Sequence, residues 1–221
     1  MLRYIHSVLI IFSVQAVSSG ASQAMERQKV HFGTRDGGLI YGFLYPAGKH
    51  GVVLAHGAIF SKESWEEFAT ELAQKGLTAL ALDFRGYGKS KAGSNPDGLY
   101  EDILAAMHYL RQYGSTSISV IGASMGAAAA AKASIASKPG EIEKLILLSP
   151  VAIRQPERLQ GRLLIIASKK ESMAGIMRET FGQAPDPKKI IFLEGNAHAQ
   201  HIFKTDQADK LKAEILKFLG N

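Results

Sequence analysis

Residues 117–137 read SISVIGASMGAAAAAKASIAS. Ser117 to Ile121 is a short run carrying β-branched residues, which reads as a buried strand. Ser124 to Ser137 is dominated by alanine, the strongest helix former. Between them lies Gly122-Ala123-Ser124-Met125-Gly126. A serine at so sharp a strand-to-helix turn is held in a strained backbone, so its neighbours must be small. Gly122 and Gly126 let strand and helix approach each other, and Ala123 keeps the turn compact. Ser124 then lifts its hydroxyl above the sheet at a helix N-terminus, where developing negative charge is favoured. That context makes Ser124 a candidate nucleophile; a bare Gly-x-Ser-x-Gly without it is only a turn.

The pattern extends in both directions. Lys29 to Thr34 and Leu39 to Tyr45 alternate apolar and polar residues around Asp36-Gly37-Gly38, which predicts an N-terminal β-hairpin. Gly51 to Ala55, Leu77 to Leu82, Lys144 to Leu148, Leu163 to Ala167 and Lys189 to Leu193 read as further strands. Helical spacing covers Ser61 to Lys75, Leu99 to Tyr113, Ser172 to Phe181 and Gln207 to Leu219. In the first of these, Trp65, Phe68, Ala69 and Leu72 share one face, and Gly76 closes the helix. Alternating strands and helices predict an α/β fold, with a mostly parallel central sheet covered by helices on both faces.

Bulk composition narrows the class. At 221 residues and 46% hydrophobic, the chain can bury one substantial core, and residues 25–221 are expected to form a single domain. The absence of cysteine excludes disulfides, thiolate catalysis and sulfur-ligated metal. No window reaches the roughly 18 consecutive apolar residues of a membrane span. The net charge of +6 is spread without a basic run, which argues against nucleic acid as a partner. Residues 1–24 pair a charged start at Arg3 with an apolar stretch, Val8 to Val17, and small residues around Ser19 to Ala24. That order reads as a secretory signal peptide and places the protein in the periplasm or outside the cell. The alternative is a cytoplasmic protein that starts at Met25.

A second motif, His56-Gly57-Ala58, ends an earlier buried strand. Acyl transfer needs two backbone donors aimed at the oxyanion. Met125 N–H, directly after the serine, is one candidate, and Ala58 N–H is the other, ahead of Ile59. His56 itself reads as structural. A third motif is Asp83-Phe84-Arg85-Gly86-Tyr87-Gly88-Lys89-Ser90. In that order the three motifs resemble the α/β-hydrolase superfamily, and its small lidless members of the dienelactone-hydrolase and carboxylesterase kind. The similarity extends over nearly all of residues 28–219. It implies structural roles for Asp83 and Arg85, and a place for Tyr87 at the mouth of the site.

The resemblance also implies an acid after the next-to-last strand and a histidine after the last. Glu194-Gly195-Asn196-Ala197-His198 is similar to the family's ending, which makes His198 the base, with His201 as its rival. Ser168-Lys169-Lys170-Glu171 stands where the family usually carries Gly-x-x-Asp, so Glu171 takes the acid's offset as a departure from the pattern. Asp186 and Glu194 are poorer candidates, since neither follows that strand.

The expected chemistry is serine hydrolysis of a small or accessible acyl ester or thioester, with no cofactor and no metal. Only residues 150–161 separate Ser149 from Arg162, where larger relatives insert a lid domain, so no lid is expected and the site should be open. Two other readings stay open: a serine peptidase on the same scaffold, and a binding protein whose triad has degenerated. Phosphate-loop and dinucleotide motifs both fail, because Asp83 stands where the first would need glycine and no Gly-x-Gly-x-x-Gly follows a strand. The sequence leaves oligomeric state undetermined.

Overall fold

In the computed structural model, which describes residues 26–220, the apolar runs become strands of one eight-stranded sheet. The expected leader over residues 1–24 lies outside the described residues. β1 (Gln28–Gly33) and β2 (Leu39–Tyr45) form the antiparallel hairpin. β3 (His50–Ala55), β4 (Leu77–Leu82), β5 (Ser117–Ala123) and β6 (Lys144–Leu148) follow. β7 (Arg162–Ser168) and β8 (Lys188–Leu193) complete the sheet. The spatial order is β1-β2-β4-β3-β5-β6-β7-β8, and every pair from β4 to β8 is parallel.

Among the described residues, five α-helices cover the sheet: α1 (Glu66–Gln74), α2 (Leu99–Tyr113), α3 (Met125–Ala136), α4 (Ala174–Gln183) and α5 (Ala208–Gly220). Successive strand residues point to opposite faces. Val53, Ala55, Leu80 and Leu82 join Ile103, Leu110, Ala127 and Met177 in a core beneath α2, α3 and α4. Val52, Leu54, Ala79 and Ala81 join Trp65, Phe68, Leu72, Leu211 and Ile215 beneath α1 and α5. From β3 to β7 almost every residue is buried, which is why these strands read as mainly apolar runs. Among the described residues, no helix is long and apolar enough to cross a membrane.

Two expected helices start later than their sequence pattern. Over residues 61–75, Lys62–Trp65 is a 3₁₀ turn and the α-helix starts only at Glu66. Here Lys62 N–H bonds the buried Asp83 carboxylate at 2.9 Å, tying the first turn to the end of β4. The segment expected to turn helical at Ser172 does so at Ala174, because a turn joins Glu171 N–H to Ser168 O.

Adjacent strands β3 and β5 send their helices to opposite faces, α1 to one and α3 to the other. The loops leaving their C-terminal ends therefore diverge and open a crevice, the usual ligand position in such sheets. A buried ion-pair node fixes the neighbouring loop. Arg85, with a side chain 1% exposed, bonds Asp102 through Nε at 2.9 Å and Nη2 at 2.6 Å, and Asp36 through Nη1 at 2.8 Å. Arg85's hydrogen bonds, helped by the Thr34 hydroxyl, hold the Asp36 carboxyl well below the ordinary range. Its contribution to stability is thus complete above the unfolded carboxylate pKa, about 4, and is lost as pH falls toward the lowered folded value. Arg85→Ala should cost about 3–5 kcal/mol, because it strands the buried Asp102 charge. Urea titration of both proteins at neutral pH checks this, and Asp36→Asn should flatten the fall in stability below about pH 4.

Candidate active site

Ser124 joins β5 to α3 with φ 51° and ψ −111°, a conformation that is sparsely populated for any residue but glycine. The turn is held because Ser124 N–H bonds Leu148 O on β6 at 2.9 Å. Close approach accounts for both flanking glycines. A Cβ on Gly122 would overlap Gly126 O, and one on Gly126 would overlap Ala55 O on β3.

His198 follows β8 and precedes a 3₁₀ turn, Ala199–Lys204. Its Nε2 lies 2.8 Å from Ser124 Oγ, and its Nδ1 lies 2.7 Å from Glu171 Oε2. A carboxylate at Nδ1 keeps the proton there and leaves the Nε2 lone pair toward the serine hydroxyl. The His198 side chain is 41% exposed and that of Glu171 only 5%, so the imidazole faces the crevice while the acid is walled in. The structure therefore brings Ser124, His198 and Glu171 into one hydrogen-bonded line from three separate loops.

Glu171 is fixed on its other oxygen. Oε1 accepts from Ser168 N–H at 2.8 Å and from the Ser149 hydroxyl at 2.7 Å. The same Ser149 oxygen accepts from Ala199 N–H at 2.9 Å, so one buried hydroxyl clamps both the acid and the histidine loop. The Ser168 hydroxyl adds a 2.6 Å bond to Ala197 O. Gln200, 3% exposed, reaches the opposite wall. It accepts from Gly57 N–H at 2.7 Å and donates to Ser64 Oγ at 2.7 Å. Sequence reasoning missed Ser149 and Gln200 as supports. No motif marks either, and only their strand-end and loop positions hint at the site.

Ala58 and Ile59 lie in the loop after β3, with Ile59 78% exposed. Met125 opens α3, so its N–H has no acceptor within the helix. Tyr87 lies against this wall. Its hydroxyl donates to Ala58 O at 2.8 Å and contacts Met125 Sδ at 3.7 Å, linking the two residues proposed for the oxyanion. His56 is fully buried; Nδ1–H donates to Gly57 O at 2.8 Å and Nε2 accepts from Phe84 N–H at 3.2 Å. Burial pushes its pKa down, and the neutral ring spaces the loop rather than moving protons.

The rival residues are placed elsewhere. Glu194 pairs with the exposed Lys169, and His201 packs its ring on Phe60. Asp186 precedes β8 and so sits at the end of that strand remote from His198. A second Ser–His pair joins His50 Nε2 to Ser119 Oγ at 2.8 Å. Ser119 lies five positions before Ser124, about 16 Å at 3.3 Å per step, and no strand-to-helix turn presents its hydroxyl. Among the described residues, no group of three His, Cys, Asp or Glu side chains could hold a metal ion.

Comparison with known proteins gives the chain relatives in sequence and in fold. Residues 47–211 match a family model described as serine aminopeptidase, S33. A Mycobacterium tuberculosis protein, Rv2307c, is 30% identical over 222 residues, covering 86% of this chain and 79% of its own. ABHD14B of Rattus norvegicus, named as a candidate protein-lysine deacylase, is 26% identical over 179 residues, covering 76% and 82%. Among solved structures, the Pyrococcus furiosus esterase Pf2001 superposes with a TM-score of 0.77 at 19% identity, covering 88% and 92%. Likeness at that identity concerns the fold.

Proposed function

This chain belongs to the α/β-hydrolase family described as serine aminopeptidase S33, and from that premise we propose a serine hydrolase that cleaves small or accessible carboxylic esters or thioesters. The observation that carries the proposal is the line Ser124–His198–Glu171, with contacts of 2.8 and 2.7 Å. As Ser124 Oγ bonds to the carbonyl carbon, its proton passes to His198 Nε2 and Glu171 stabilises the imidazolium. The carbonyl oxygen gains the negative charge, and Ala58 and Met125 N–H groups hold it. Collapse breaks the bond to the leaving alcohol or thiol, which takes the proton from Nε2. Water then attacks the acyl-enzyme by the same route, releasing the acid and restoring Ser124.

Two names among the relatives, an aminopeptidase family and a protein-lysine deacylase, speak of amide bonds, so an aminoacyl anilide belongs beside esters and thioesters in the substrate panel. The primary test is labelling by a fluorophosphonate. Wild-type protein is expected to be labelled and Ser124→Ala is not. Silence in both would overturn the enzymatic reading and favour a binding protein on the same scaffold.

A further inference from the structure

Outside the triad, one concave feature with a coherent chemistry is a groove of about 700 Å³ between α3 and the segment 150–161. Its floor is apolar: Ala128, Ala131 and Ile135 from α3, faced by Ile153. Its rim is cationic, with Lys132, Arg154 and Arg158, and no carboxylate lines it. Lys132 lies over the Tyr100 ring at 4.4 Å, and Arg158 donates to Gln155 Oε1 at 2.9 Å. Among the described residues none of the three cations is within ion-pair distance of an acid. Glu157, the nearest acid along the chain, lines a different cavity. Three cations around an apolar trough repel one another unless an anion is shared between them.

The groove begins one helical turn beyond the candidate nucleophile. Ser124 caps the N-terminus of α3, and Ala128, Ala131, Lys132 and Ile135 follow as one stripe of that helix, four, seven, eight and eleven residues on. From Ser124 to Lys132 is eight residues, about 12 Å at 1.5 Å each, a distance that a medium-length acyl chain spans.

We infer that this groove takes the acyl chain of an ester substrate whose far end carries a carboxylate, with Lys132, Arg154 and Arg158 as specificity-determining residues. The inference rests on the hydrolase reading above. The methylenes lie on the alanine floor, where burial favours them in proportion to area. The terminal carboxylate meets guanidinium forks, which suit planar bidentate recognition.

The test compares kcat/KM for p-nitrophenyl hydrogen sebacate with that for p-nitrophenyl decanoate, esters of equal chain length that differ in the terminal charge. Wild type should prefer the charged ester by about tenfold, less at high salt because the cations are exposed. The triple variant Lys132→Ser, Arg154→Ser, Arg158→Ser should bring the ratio close to unity. Lys210→Ser, an exposed lysine on α5, should leave it unchanged. Equal rates in wild type, or a preference kept in the triple variant, would overturn the inference. Failure of the catalytic reading is separable from failure of the groove. Calorimetry with sebacate on Ser124→Ala should show binding that the triple variant loses, whether or not esters turn over; no binding overturns the groove. Co-sedimentation with phosphatidylglycerol vesicles, abolished by the triple substitution and unaccompanied by a sebacate preference, would reassign the patch to a lipid surface and also overturn it.

Discussion

Glu171→Gln is expected to lower kcat on an activated ester by about 10⁴-fold while the fold survives. The effect follows from what surrounds each carboxylate oxygen. Oε1 receives two donors, Ser168 N–H and the Ser149 hydroxyl, so a glutamine must place its carbonyl oxygen there. Its NH₂ then occupies the Oε2 position, 2.7 Å from His198 Nδ1. A donor at that point forces the ring proton onto Nε2, which can no longer accept the proton of Ser124. The imidazole keeps its place in the wrong tautomer. Steady-state kinetics of Glu171→Gln beside Asp186→Asn decide the matter. Unchanged turnover in the first would remove Glu171 as the acid.

His198→Ala should cost more, about 10⁶-fold in kcat, because the nucleophile then has no base at all. Stability should fall by about 1–3 kcal/mol, since Glu171, 5% exposed, loses the donor to its Oε2. That loss is small beside the expected loss of rate. Thermal denaturation and single-turnover acylation are measured on the same sample; a folded variant with full acylation would rule out the imidazole as the base. The residual rate should still exceed that of water, through oxyanion stabilisation and binding alone.

Much of this was legible in the sequence, for identifiable reasons. Strands buried on both faces must be unbroken apolar runs, so β3 to β7 announced themselves, as did the hairpin around Asp36-Gly37-Gly38. The turn at Ser124 is local: Gly122 and Gly126 are required because backbone carbonyls of Gly126 and β3 stand where their Cβ atoms would be. Helix starts were less legible. At Lys62 and at Glu171 the chain is captured by partners distant in sequence or by an inward-turned side chain, and periodicity does not register either.

The amino-acid order alone determined the α/β fold class, through the alternation of strand and helix patterns, and the elbow serine, through the small residues beside it, while the histidine after the last strand came from the family resemblance that those motifs carry. Only the tertiary structure decided which carboxylate reaches His198 and that Ser149 ties that acid to the histidine loop. It also decided that Gln200 fastens this loop to the strand end 143 residues earlier. The physical reason is that hydrogen bonds of 2.7 to 2.9 Å form between loops that meet only after the parallel sheet has brought its strand ends to one edge.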